Sequence, residues 1–376
     1  MTADAPTPDD VKNTISRGGY LLVALWALGI LLLFAAGGYF GARLLQGYKA
    51  ETVKMRQAWI EATTTDLEAA APEIKVTPGG EPVDVTVGIR LNRMEAISMR
   101  ESSWMADLDI WFRWTGDTVK PGENFHIVNG DISLREREEA VAEGFEHYER
   151  YNVKARLAAN FDLARFPFGD QAVTIQVEDG AQGAENLRYV PDEQDSGVSR
   201  LGVPASLKII QTLAAVKLHG YQSRRGDPRK PEGEADVHSR FVFALLLAPP
   251  GASLFIKLFQ ALFASVAIAL VVFFIKPIQV DPRFGLGVGA FFAAVGNNIY
   301  VASVLPHANR LALPDMVNAV GLATIFLTLV QSTISLYIFD SLGRERLRRL
   351  FDHVSFVAFL TGFIALNLAF PLVSLP

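Results

Sequence analysis

The feature that most constrains this chain is Phe284–Leu305, a run of 22 residues without a charge. As a helix at about 1.5 Å per residue it reaches roughly 33 Å, the thickness of a bilayer's hydrocarbon core. It is not a uniform leucine and valine span. Glycine and alanine are frequent, Asn297 and Asn298 sit side by side, and Asp281 and Arg283 stand before it. A lipid-facing helix has no use for that mixture, whereas a helix buried among others or lining a water-filled path does. The run therefore reads as the pore-lining helix of an oligomeric channel.

Four further apolar blocks surround it. Tyr20–Ala42 is uncharged over 23 residues, longer than the 7–15 apolar residues of a signal peptide, and reads as a retained membrane helix. Ala252–Ile275 carries only Lys257 and Gln260 near its start, where a lysine can snorkel to the interface. Met316–Phe339 and Val354–Leu375 complete the set. The linker between these last two holds Arg344, Arg346, Arg348 and Arg349, which makes it cytoplasmic by the positive-inside rule. Counting back, the Lys276–Arg283 turn is cytoplasmic and the His307–Asp315 loop lies outside, with residues 80–249. Tyr20–Ala42 then runs from inside to outside.

Those residues 80–249 have a different period. Val83, Val85, Val87, Ile89 and Leu91 alternate with other residues. In Met105–Trp114, Leu108, Ile110 and Phe112 share one face, and Asp107, Asp109, Trp111 and Arg113 the other. Further short strands are expected at Phe125–Val128, Ile132–Leu134, Tyr148–Asp162, Ala172–Val177, Leu187–Val190, Leu207–Tyr221 and Val237–Leu247. Many short strands separated by turns predict a β-sandwich. The division is a tail over 1–19, an N-terminal membrane helix over 20–46 and a helical linker over 47–79. A sandwich over 80–249 and a four-helix membrane domain over 250–376 follow. The fold class is a membrane protein with an outer β-sandwich and an α-helical bundle. The net charge of −5 implies no nucleic-acid partner, and a chain without cysteine has neither disulfides nor thiolate metal sites. No nucleophile–base or metal constellation is visible, so neither an enzyme nor a cofactor is expected.

A sandwich followed by four helices, with a short first turn, a short second loop and a basic third linker, resembles the pentameric ligand-gated ion channels, the Cys-loop receptor superfamily, in its prokaryotic form. The resemblance covers about residues 80–376. VDVTVGIRLNRMEAISMRESSWMADLDIWFRWTGD resembles the family's first two strands, and YNVKARLAANFDLARFPFGDQAVTIQVED the stretch around its signature loop FPFD-x-Q. LPHANRLALPDMVNAVG resembles the linker after the pore helix. Gly169 stands where the family has aspartate, with Asp170 next. The family's arginine before the first pore-domain helix, and that helix's interior proline, are missing, and the helix at 20–46 is extra. The resemblance implies a homopentamer in a bacterial inner membrane, with the sandwich in the periplasm. It also implies an outer-domain stimulus, a small ligand or protons, that opens the pore.

Within that frame the site residues follow. One helical stripe carries Gly285, Gly289, Phe292, Gly296, Ile299 and Ser303 at spacings of four, three, four, three and four, with Asp281 at the mouth. Facing the pore axis, five copies of Phe292 ring the lumen and gate it by dewetting, and a ring of Asp281 carboxylates favours cations. The other reading of the stripe is a small-residue seam packed against a neighbouring helix. Asn297 and Asn298 are expected to hydrogen-bond between helices. Trp111, Trp114, Tyr189 and Tyr221 are the aromatic candidates for a ligand site between sandwiches, with Gln222–Asp236 as its capping loop. Phe166, Pro167, Phe168 and Asp170 are expected to meet Arg310 and Pro314 as the coupling region. His126, His147, His219, His238 and His307 admit a proton-responsive channel. A second functional reading is a non-conducting membrane sensor or scaffold that keeps the channel fold.

Overall fold

The computed structural model describes residues 15–61, 81–200, 202–204, 207–221, 236–276, 278–305 and 310–375. The chain divides into two compact units. One contains Met1–Ala50, Leu163–Gly169 and Gly251–Pro376, and the other Glu51–Asp162 and Asp170–Pro250. Pro306, His307 and loop residues 222–235 lie outside the described residues.

Among the described residues the second unit has ten strands: β1 Val83–Ser98, β2 Ser103–Thr115, β3 Phe125–Ile127, β4 Gly130–Glu143, β5 Glu146–Ala158, β6 Gln171–Asp179, β7 Leu187–Pro191, β8 Gly197–Val198, β9 Ile209–Tyr221 and β10 Asp236–Leu247. They form two sheets, β4-β5-β2-β1-β7 with β8 also on β1, and β3-β6-β10-β9. The alternation read from the sequence sets which side chains face inward. Val85, Val87, Ile89 and Leu91 of β1 are fully buried, as are Leu108, Ile110 and Phe112 of β2. Asp107, Asp109, Trp111 and Arg113 stand on the opposite face of β2, with Arg113 exposed and the other three half-buried. β4 is longer than the three residues expected. It continues through the acidic run Glu136–Glu139, which is exposed, and Glu138 and Glu139 pair with Arg150 of β5 at 3.2 and 3.4 Å. β7 pairs with β1 in parallel, Tyr189 opposite Val85. This pairing joins strands distant in sequence, and no local pattern announces it.

Among the described residues, five helices are long and apolar enough to cross a membrane, the make-up of a multi-pass membrane protein. They are α1 Arg17–Glu61, which belongs to the first unit as far as Ala50, and α2 Ala252–Val271, α3 Val280–Val304, α4 Leu313–Asp340 and α5 Glu345–Ser374, all of the first unit. The helix expected at 20–46 and the linker after it are one element as far as Glu61, because no proline or glycine pair interrupts the chain between Ala50 and Glu61; residues 62–79 of the expected linker lie outside the described residues.

α1 packs along α5. Trp26 Nε1 donates to Ser355 Oγ at 3.0 Å, and Phe34 meets Phe359 edge-on at 6.4 Å. Gly38 lies against Leu366, Gly41 against Phe370, and Gly362 of α5 against Phe34, each too close for a Cβ. Successive contacts climb both helices together, so α1 and α5 run parallel, as two spans of like orientation must. Lys49 Nζ donates to the Leu375 carbonyl at 2.8 Å, placing a cation at the negative end of α5. The outer face of α1, including Leu21, Leu25, Leu28, Leu32 and Phe40, is exposed, as suits a lipid-facing surface.

Candidate functional site

α3 divides cleanly. Arg283, Gly287, Ala290, Ala294, Asn297 and Val301 are buried at spacings of four, three, four, three and four. Asp281, Gly285, Gly289, Phe292, Gly296, Ile299 and Ser303 are all exposed on the other side. Phe292 is 69% and Ile299 66% exposed, so among the described residues no helix covers this stripe. A Cβ on Gly285, Gly289 or Gly296 would meet nothing within 4 Å. The packing glycine is Gly287, against Leu329 of α4. Within one chain the outer stripe is therefore not a seam. The asparagines do what intramembrane amides need. Asn297 Nδ2 donates to Asn318 Oδ1 at 3.3 Å, and Asn318 Nδ2 donates to Asn298 Oδ1 at 3.2 Å.

At the start of α3 the two charges separate. Asp281 is exposed and makes no ion pair among the described residues. Arg283 is 1% exposed, and its Nη2 meets Asp352 Oδ1 of α5 at 3.4 Å. It is a buried partner of the bundle. Asp352 also takes Arg348 Nη1 at 2.6 Å and Gln331 Nε2 at 2.7 Å.

In the sandwich unit, Trp111 forms part of a hollow of about 280 Å³ with Arg90, Asp109, Arg113, Tyr148, Arg150, Asp192 and Asp195. Trp111 Nε1 and Arg113 Nη2 both donate to Asp192 Oδ2, at 3.1 and 2.6 Å. Gly88, opposite Trp111 on β1, leaves room for the indole to lie across it. Burial pushes the Tyr148 hydroxyl above its ordinary 10.0, against the nearby Arg150 charge. Three arginines and three aspartates around an indole suit a small ligand carrying both charges.

The other three aromatic candidates do not join this hollow. Trp114 is buried on the inward face of β2 and stacks on His147 at 5.0 Å. Tyr189 is 2% exposed in the core, 6.2 Å from the Phe112 ring. Burial pushes its hydroxyl well above the ordinary range. Tyr221 belongs to a separate polar cluster on the other sheet. Its hydroxyl donates to Glu178 Oε2 at 2.8 Å, and Glu178 Oε1 accepts from Arg240 Nε at 2.5 Å. His238, beside it, is 3.2 Å from Asp236.

The signature loop is the third element. Residues 163–169 are grouped with the helices. The Leu313 amide at the start of α4 donates to the Ala164 carbonyl at 2.9 Å, and the Gly251 amide before α2 donates to the Pro167 carbonyl at 3.0 Å. Phe166 and Phe168 are buried, Phe168 lies 5.5 Å from Phe255, and Phe166–Pro167 is cis. Pro314 is buried in the first turn of α4. Asp170 falls in the sandwich unit and Arg310 in the helical one.

Two residues that sequence reasoning passed over matter here. Arg165, 3% exposed, donates from Nη1 to the Ser374 carbonyl at 3.3 Å, a second cation at the end of α5. Gln171 closes the base of the loop. Its Nε2 donates to the Asp162 carbonyl and its Oε1 accepts from the Asp162 amide, both at 2.8 Å. Its place in the FPFD-x-Q pattern was the available signal.

A scan against protein-family models finds no match, and a search of curated proteins finds no similar sequence.

Proposed function

We propose that the chain is one subunit of a homopentameric channel of the Cys-loop receptor kind in a bacterial inner membrane, with the sandwich in the periplasm. The observation that carries this reading is the exposed stripe of α3. Seven residues at helical spacing are exposed while the opposite stripe packs. Around a five-fold axis the stripe lines a lumen, Phe292 narrows it near mid-membrane, and Asp281 rings one mouth and favours cations. A small ligand carrying both charges at the Trp111 hollow, or protonation of the sandwich, supplies the stimulus. Loop residues 163–169 carry it to α2 and α4, whose first residues they hold by hydrogen bonds.

The test is a planar-bilayer recording of the purified protein across a pH and ion series. Wild type is expected to be closed at rest. Phe292→Ala is expected to leak without stimulus, while Phe291→Ala, rotated about 100° away, stays closed. Conduction by Phe291→Ala alone would mean a rotated pore helix. Silence of wild type and both variants under every condition would favour the second reading, a non-conducting sensor. That reading draws support from α1, which covers one face of α5.

A further inference from the structure

The end of the bundle where α2 turns into α3 and α4 into α5 holds a cavity of about 550 Å³. Its polar side carries Lys276, Arg348, Arg349 and His353, with the carboxylates of Glu345 and Asp352. Its other side is aromatic and aliphatic, with Phe273, Phe274, Phe339, Phe356 and Ile278. Phe274 and Ile278 are 68% and 73% exposed, so the apolar wall opens to the outside.

The carboxylates do not balance the cations. Glu345 is taken by Arg349. Asp352 is shared between Arg348, which lines the cavity, and Arg283 behind it, and both arginines are more than nine-tenths buried. One carboxylate faces two buried guanidiniums. The shortfall shows in their hydrogen bonds: Nε of Arg348 and Nε and Nη1 of Arg283 are buried without a partner. Lys276 makes no ion pair among the described residues. A buried excess of positive charge is costly until an anion approaches it.

The placement says which anion. The cavity sits where four apolar helices end, so in a membrane it meets the headgroup layer, and its phenylalanine wall continues toward the hydrocarbon. A free anion would satisfy the cations and leave the apolar wall uncovered. An amphiphile covers both. We propose that this cavity binds one anionic phospholipid, its phosphodiester against Lys276 and Arg349 and the field of Arg348, and an acyl chain along Phe274 and Phe356. The site stands on the bundle alone and does not depend on whether the protein conducts.

The test uses the full-length protein, stripped of lipid in a neutral detergent and titrated with phosphatidylglycerol, phosphatidylcholine or inorganic phosphate. Bound lipid is counted by native mass spectrometry. Phosphatidylglycerol is expected to fill one site per chain in preference to phosphatidylcholine, and inorganic phosphate at equal concentration not to displace it. Lys276→Gln with Arg349→Gln is expected to weaken phosphatidylglycerol about 30-fold, about fivefold for each charge, and to leave phosphatidylcholine unchanged. Should the double variant lose its fold, the exposed Lys276→Gln alone carries the fivefold expectation. Equal binding of the two lipids, displacement by inorganic phosphate, or indifference to the substitutions would each overturn the site.

Discussion

Gly88 and Trp111 face each other across β1 and β2, and the indole occupies the space a side chain on Gly88 would need. The glycine is thus a spacing device for the hollow. Gly88→Ala should push the ring off Asp192, at a cost of about 1–3 kcal/mol for the overpacking, and is read as a shift in tryptophan emission. An unshifted spectrum with unchanged stability would mean that the indole does not need that space.

Asp179 offers a second residue-level test. Burial lifts its carboxyl above the ordinary 3.8, although the Ala181 and Gln182 amides and the nearby charge of His238 pull the other way. Its Oδ2 is buried without a partner. A raised folded-state value means that its contribution to stability is complete below the ordinary carboxyl range and is lost as pH rises through the raised value. Asp179→Asn keeps the acceptor for both amides and removes the charge. The variant should therefore exceed wild type in urea midpoint at neutral pH, and the gap should close as pH falls through the raised value. A gap that widens on acidification would contradict the sign.

At the scale of elements, α3 makes the sharpest statement. The chain has no native cysteine, so single cysteines report cleanly. Cysteines at Gly285, Gly289, Phe292, Gly296, Ile299 and Ser303 should react with a small water-soluble thiol reagent, while those at Gly287, Ala290, Ala294 and Val301 stay protected. Uniform protection would show that the outer stripe meets lipid or protein and not water. The spacing of the exposed stripe was legible in the sequence because a helix repeats every 3.6 residues, but its glycines did not mark close neighbours: Gly285, Gly289 and Gly296 meet nothing within 4 Å, and the packing glycine is Gly287 of the buried stripe. The strands were legible for the same kind of reason, since Val85 to Leu91 alternate. Three things were not. The parallel β1–β7 pairing joins segments far apart in sequence. The pairing of Arg283 with Asp352 is visible only once helices pack. Trp111 and Trp114 look alike as aromatic candidates, yet three positions along a strand put them on opposite faces. α1 runs on unbroken past the end of its apolar run to Glu61, because hydropathy marks where a span ends and not where a helix ends.

For the whole molecule, the proposed pentamer would put the exposed stripe of α3, with its three open glycine positions, toward a lumen shared with other copies. A mass measurement by light scattering in detergent, corrected for bound detergent, should give five times the 41.2 kDa chain. A stable monomer would end the pore proposal and leave the lipid site standing. One further consequence concerns timing. Arg165 finds its acceptor on Ser374, 209 residues later. At about 5–20 residues per second a ribosome needs roughly 10–40 s to cover that distance. Through that interval the loop 163–169, with Phe166 and Phe168, has only part of its helical partners, α2 first and α4 later. A chaperone, or the insertion machinery itself, would have to shield two phenylalanines until α2, α4 and α5 arrive in turn. The signature loop is therefore among the last parts of the protomer to settle, and a nascent chain halted before α5 should leave it open to protease.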